Sequence, residues 1–265
     1  MGFFGFMKKG NNNNGNASGM TNVRTNQEVH TSGINLTKEE AVQKLNLRKE
    51  TLTICLKKNN MENIMARVAV VMDKSGSMFQ LYKDGSVQNV IERLLPIAIK
   101  FDDNGELDMW LFSDSYKRLR GLTEHDFYGY VNNEILGKKA NNFWGGTDYA
   151  PVIKDVLKKY VKEEPSNVPT FVIFITDGEN FDRNEARQAI IEASKYNVFW
   201  QFVGIGDASF KFLKSLDTME GRTIDNANFF EVNDLNRLTD EDLYNKLLAE
   251  YPQWEREAKR IGIIR

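Results

Sequence analysis

Two segments of this chain are apolar on both faces of an extended strand: Thr-Phe-Val-Ile-Phe-Ile-Thr over Thr170–Thr176, and Val-Phe-Trp-Gln-Phe-Val-Gly-Ile over Val198–Ile205. Strands of this kind belong in a parallel sheet covered by helices on both sides. A sheet with one wet face would alternate polar and apolar residues instead. A β-branched run at 67–72 ends on Asp73. Leu107–Phe112 reads as another strand, with a short edge strand near 116–119 returning beside it. Helical stretches fall between the strands. One opens at Ser86 and places Val87, Val90, Ile91, Leu94, Leu95 and Ala98 on one side, with Pro96 inside it. Others lie near 124–134, over 147–161 with Pro151 in the first turn, and over 185–196. Shorter elements follow: a helix at 209–217, a strand at 228–232, and helices near 240–249 and 252–261. This alternation predicts the α/β class, an open, doubly wound, mostly parallel sheet with helices on both faces.

Upstream of the alternation the character changes. Residues 1–34 begin Met-Gly-Phe-Phe-Gly-Phe-Met-Lys-Lys-Gly and continue rich in Asn, Gly, Ser and Thr. That tract buries too little apolar area to offset the entropy of ordering it, so it reads as a disordered segment. Its apolar start is too short to span a bilayer, and Phe6 stands where a myristoylation signal wants Ser or Thr. A frayed start is expected there rather than a membrane foot. Thr37 followed by Glu40 forms a capping box. Two short helices, 38–46 and 48–58, are expected in a lead-in over 35–61. The main domain then runs over 62–265 and closes with a helical extension.

Composition narrows the chemistry. The 265 residues carry 35 Lys and Arg against 37 Asp and Glu, a net charge of −2, which argues against bulk electrostatic binding of nucleic acid. The lone cysteine, Cys55, permits neither an intrachain disulfide nor a multi-cysteine metal site. Cys55 lies among Leu52, Ile54 and Leu56 and is expected in the core. Only His30 and His125 offer imidazole. No Gly-rich loop ending in Lys-Ser or Lys-Thr is present, which removes P-loop nucleotide hydrolysis.

In open α/β sheets ligands bind beyond the carboxyl ends of the strands. Beyond the first strand stand Asp73-Lys74-Ser75-Gly76-Ser77. Beyond the strand at 170–176 stands Asp177-Gly178-Glu179. Between them in sequence, Gly145-Gly146-Thr147-Asp148 opens a helix. Carboxylates and hydroxyls can thus converge at one edge of the sheet. All these donors are oxygens, which favours Mg²⁺, with Mn²⁺ or Ca²⁺ as alternatives, over zinc.

Taken together and in this order, Asp-x-Ser-x-Ser, a Thr after Gly-Gly, and Thr-Asp-Gly after a buried strand resemble the metal-ion-dependent adhesion site of von Willebrand factor A (VWA) domains, whose fold is Rossmann-like. The resemblance covers about residues 62–235. Wider stretches resemble the bacterial tellurium-resistance, TerF-type members: Trp144-Gly-Gly-Thr-Asp-Tyr-Ala-Pro151, Val198-Phe-Trp-Gln-Phe-Val-Gly-Ile-Gly206, and Tyr251 to Trp254. The resemblance implies that Ser75, Ser77 and Thr147 ligate the ion directly. It implies that Asp73 and Asp177 hold it through waters or fix the hydroxyls, and that a partner's carboxylate takes the remaining position. Lys74 falls on a variable position of the motif and is expected to point to solvent.

Asp, Ser, Gly and Thr also abound in ordinary turns, where Ser75 and Ser77 would cap a helix and Asp177 would be a turn residue. Asp148 and Glu179 are expected to be solvated or one step removed from the ion, and Asp102, Asp103 and Asp114 to lie in solvated loops. Met78, Phe79, Phe143 and Trp144 flank the motifs. They form either an apolar rim for a partner or ordinary core, and the sequence leaves both open.

Three functions compete. The leading one is a cytoplasmic binding module, not an enzyme, whose Mg²⁺ captures an acidic residue of an unidentified protein partner, with no nucleic acid or membrane involved. The resemblance points its biology toward stress response and tellurium resistance. The second is a magnesium-dependent phosphohydrolase with Asp73 as nucleophile, although Ser75 stands where a second carboxylate is wanted as acid–base. The third is a scaffold whose metal site stays empty.

Overall fold

The computed structural model describes residues 36–102 and 104–264. The expectations for residues 1–34, and that for Asp103, lie outside the described residues. Helix α1 spans Lys38–Lys58 as one piece, capped as expected by Thr37, which accepts from the Glu40 amide while the Glu40 side chain returns to the Thr37 amide. The two short helices expected here are therefore a single one. No Gly or Pro falls between 38 and 58 to end a helix, and Leu45 and Leu52 on either side of the expected break are both buried on one face.

Strand β1 (Arg67–Asp73) leads through a 3₁₀ turn at Gly76–Met78 and the short α2 (Phe79–Lys83) into α3 (Ser86–Phe101). Helix α3 follows Gly85, which is left-handed at φ 84°, and runs through Pro96. Strand β2 (Leu107–Phe112) and the edge strand β3 (Tyr116–Arg118) follow. The helix expected near 124–134 does not form. Gly129 is left-handed at φ 71°, which interrupts any helix through it, and only a π-helical stretch at Val131–Leu136 remains. Helix α4 covers Ala150–Leu157 with Pro151 in its first turn, and π-helical turns extend it over Lys158–Glu163. Then come β4 (Thr170–Thr176), α5 (Arg183–Ala193), β5 (Val198–Ile205), α6 (Lys211–Lys214), β6 (Ala227–Val232), α7 (Asp240–Leu248) and α8 (Tyr251–Arg260).

The sheet order is β3-β2-β1-β4-β5-β6, parallel throughout except for the antiparallel edge pair β2–β3. The strand pleat sorts residues into two cores. Val68, Val70, Met72, Phe171, Ile173 and Ile175 face α1, α3, α7 and α8. Ala69, Val71, Val172, Phe174, Trp200 and Phe202 face α4, α5 and α6. Cys55 is buried in the first of these cores.

Candidate metal centre

β1 and β4 are neighbours, and from them the chain winds outward in opposite directions, to β2 and β3 on one side and to β5 and β6 on the other. Their carboxyl ends diverge into different loops, which opens a crevice at this switch point. Asp73 is the last residue of β1, and Asp177 directly follows β4. Asp73 is fully buried. Its Oδ1 accepts from the Ser75 amide at 2.7 Å and its Oδ2 from the Thr176 hydroxyl at 2.6 Å. The Ser75 and Ser77 hydroxyls stand 3.1 Å apart, and that of Ser77 donates to Asp177 Oδ1 at 2.8 Å. Four of the five expected residues are therefore joined through hydrogen bonds across 104 positions of sequence, from 73 to 177.

Thr147 arrives on a third loop, which is pinned by backbone. The Gly76 amide donates to the Gly145 carbonyl at 3.2 Å, the Asp148 amide to the Ser113 carbonyl at 2.8 Å, and the Phe181 amide to the Thr147 carbonyl at 2.9 Å. The Thr147 side chain makes none of the hydrogen bonds that link the other four. A Cβ on Gly145 would come within 2.7 Å of Asp114 Oδ1 and 3.0 Å of Ser113 Oγ, so a larger residue there would have to displace those side chains.

Three residues to which the sequence assigned no role hold the loops together. Thr176 supplies the hydroxyl on Asp73. The Tyr149 hydroxyl donates to the Gly178 carbonyl at 2.8 Å and lies 3.3 Å from the Thr176 hydroxyl. Asp182 accepts from the Tyr149 amide at 2.9 Å and the Ala150 amide at 2.6 Å, so it caps α4 from 32 residues downstream. The α4 N-cap position, Tyr149, makes no side-chain cap of its own. Glu179 serves a different junction, accepting from the Ser209 hydroxyl and the Lys211 amide, both at 2.6 Å. Asp114 is exposed and accepts from the Ser113 hydroxyl at 3.0 Å.

Lys74 departs from expectation. It does not reach solvent but is 0% exposed. Its Nζ sits 2.8 Å from the centre of the Trp144 ring and 4.4 Å from that of Tyr82, without a hydrogen-bond partner. Burial, and then the neighbouring Lys83, push the ammonium down to about 7. The rings' negative faces replace water around the charge, a tertiary effect that no local polarity pattern reports. The flanking apolar residues divide between the two roles left open. Met78 is core and Phe143 and Trp144 are half-buried, while Phe79 remains 39% exposed. Phe181, not singled out from the sequence, is 82% exposed beside Thr147.

The electrostatics of the crevice fit a cation. Burial pushes Asp73 up to about 6 despite the hydrogen bonds from Ser75 and Thr176, and burial raises Asp177 as well. Among the described residues neither carboxylate forms an ion pair. Buried carboxylates without a counter-charge are costly, and a divalent ion relieves that cost. Among the described residues no group of three or more His, Cys, Asp or Glu gathers. The donors offered here are carboxylate and hydroxyl oxygens, the set that suits a hard cation.

A family profile described as the vWA found in the TerF C terminus matches residues 65–264. The chain belongs to the TerF-like VWA family. Its VWA relative YcbR, an uncharacterized protein of Bacillus subtilis (strain 168), is 49% identical over 222 residues, covering 83% of this chain and 90% of YcbR. Copine-E of Dictyostelium discoideum is 32% identical over 153 residues, 52% of this chain and 26% of that protein. Among solved structures, the SpRpn10 VWA domain aligns with a TM-score of 0.53 at 11% identity, over 69% of this chain and 95% of that one. Proximal thread matrix protein 1 from the mussel byssus aligns at 0.50 and 18%, over 70% and 47%. At these identities the two structures carry the fold alone. VWA domains often bear a metal-ion-dependent adhesion site and commonly bind other proteins. Among the described residues no helix is long and apolar enough to cross a membrane.

Proposed function

We propose that this chain is a metal-dependent protein-binding module. Asp73, Ser75, Ser77, Thr147 and Asp177 hold a divalent cation, Mg²⁺ first and Mn²⁺ or Ca²⁺ as alternatives, which captures an acidic residue of a partner protein. The observation that carries the reading is the pair of partly or fully buried carboxylates, unpaired among the described residues, Asp73 accepting from the Ser75 amide and Asp177 from the Ser77 hydroxyl, with the Ser75 and Ser77 hydroxyls 3.1 Å apart. The bound ion would supply a Lewis-acidic position for a carboxylate from outside. Ser75 and Ser77 present their oxygens side by side, and the Gly76–Gly145 backbone bond brings the Thr147 loop against them. Asp73 orients Ser75 through its amide, and Asp177 orients Ser77 through its hydroxyl.

The phosphohydrolase reading meets an obstacle in the geometry. Both Asp73 oxygens already accept hydrogen bonds and the carboxylate is buried, so it is poorly placed to attack a phosphorus atom. For the biological setting we propose a cytoplasmic role in stress or tellurium resistance, supported by the TerF-like character of the family.

The test is calorimetric titration of Mg²⁺, Mn²⁺ and Ca²⁺ into wild type and Thr147→Ala. The reading expects one site in wild type and a loss of affinity of tenfold or more in the variant, with the circular-dichroism spectrum unchanged. Equal affinity in both proteins, or no binding by wild type, would overturn it.

A further inference from the structure

Two aromatic side chains beside the crevice reach solvent from anchored backbone. Phe181 is 82% exposed, yet its amide is bonded to the Thr147 carbonyl, and the next residue, Asp182, is clasped by two amides of α4. Its ring lies over Gly146, 3.6 Å from where a Cβ would stand. Phe79, two residues beyond Ser77, packs edge-on against Trp144 with ring centres 4.9 Å apart, and Trp144 in turn rests edge-on against Tyr82 at 5.5 Å. Residues 144 to 146 thus connect the two exposed rings, one at each end. The two rings, joined through one loop beside the crevice, form an apolar surface that a partner can cover.

A cationic side chain stands beside the Phe79 end. Lys83 Nζ lies 5.5 Å from the Phe79 ring centre, and Lys74 lies beneath Trp144. Neither lysine forms an ion pair among the described residues. An exposed ring with the Lys83 ammonium beside it complements a segment that is both apolar and acidic.

We infer that the partner presents its captured carboxylate within an apolar stretch, an Asp or Glu flanked by large apolar side chains that pack on Phe79 and Phe181. This inference rests on the metal-dependent capture proposed above and specifies the partner it takes. The apolar flanks would supply affinity and selectivity that a bare carboxylate lacks, since every acidic surface residue offers the same charge.

The experiment uses two fluorescently labelled peptides in a common Gly-Ser frame, one with Asp between Phe and Leu, the other with Asp between two serines. Binding to the full chain is read by anisotropy with Mg²⁺ and with EDTA. Magnesium affinity is measured separately by calorimetry without peptide. The inference expects the apolar-flanked peptide to bind at least tenfold more tightly in Mg²⁺. That advantage should fall below about threefold in the Phe79→Ser/Phe181→Ser double variant while its magnesium affinity stays that of wild type. Equal binding of the two peptides, no binding of either, or an advantage that persists in the double variant would overturn the inference while normal magnesium binding leaves the metal reading standing. An apolar preference that survives EDTA and vanishes in the double variant would support the docking surface and remove the metal from it.

Discussion

At the scale of single residues, Asp73 is a charge that the fold buries at a cost in stability. Its carboxylate is buried with one amide and one hydroxyl as partners and no ion pair among the described residues. An asparagine in its place keeps the shape, accepts from the Ser75 amide and donates to Thr176, and removes the buried charge. Asp73→Asn should therefore leave the metal-free chain no less stable at pH 7, and up to about 3 kcal/mol more stable, by urea unfolding. The same variant should lose all stabilisation by Mg²⁺. A large loss of metal-free stability would show that the charge itself holds the loops. The convergence of the loops carrying Asp73, Ser75, Ser77, Thr147 and Asp177 was legible because each follows a recognisable strand end or precedes a helix in a fixed order. Lys74 was not, because its burial depends on Trp144 and Tyr82, which local polarity does not report. Asp182 escaped for the same reason: its partners are amides, and amides have no sequence signature.

At the scale of elements, the strands were the most legible part. Thr170–Thr176, Val198–Ile205 and Leu107–Phe112 are strands over the lengths expected, since two-sided burial leaves a continuous apolar run. Helix ends were less so. α4 begins at Ala150 rather than at 147 because residues 145–148 are committed to backbone contacts with Gly76 and Ser113. The short edge strand β3 depends on a tertiary clasp. Asp155 of α4 accepts from Arg118 of β3 at 2.6 and 2.9 Å and from the Trp110 indole of β2 at 2.9 Å. Burial pushes the Asp155 carboxyl up, but hydrogen bonds from Arg118 and Trp110 outweigh it and hold the group below its ordinary value. A lowered value in the folded state gives stability that is fully present above the ordinary aspartate range and is lost as the pH falls through the lowered value. Asp155→Asn should cost about 1–2 kcal/mol at pH 7, discounted because Arg118 is partly exposed. It should also flatten the acid limb of the stability curve. Urea midpoints between pH 2 and pH 7 check both, and an unchanged acid limb would show that the clasp contributes little.

At the scale of the whole molecule, the proposed site joins loops from β1, β4 and the start of α4, so a cation there would tie the centre of the sheet to one of its covering helices. A ligand that binds only the folded state at 100 times its dissociation constant stabilises by about 2.7 kcal/mol. For a domain of this size that corresponds to a rise in melting temperature of about 5–10 °C. Differential scanning fluorimetry should show this rise in Mg²⁺, its reversal by EDTA and its absence in Thr147→Ala. A rise of the same size in the variant would place the binding elsewhere. The most direct measurement is an anomalous difference map from a crystal of the full chain soaked in Mn²⁺. A peak within coordination distance of the Ser75, Ser77 and Thr147 hydroxyl oxygens is the predicted result, whereas a crevice without a peak, in a crystal that binds Mn²⁺ at other positions, would contradict the account.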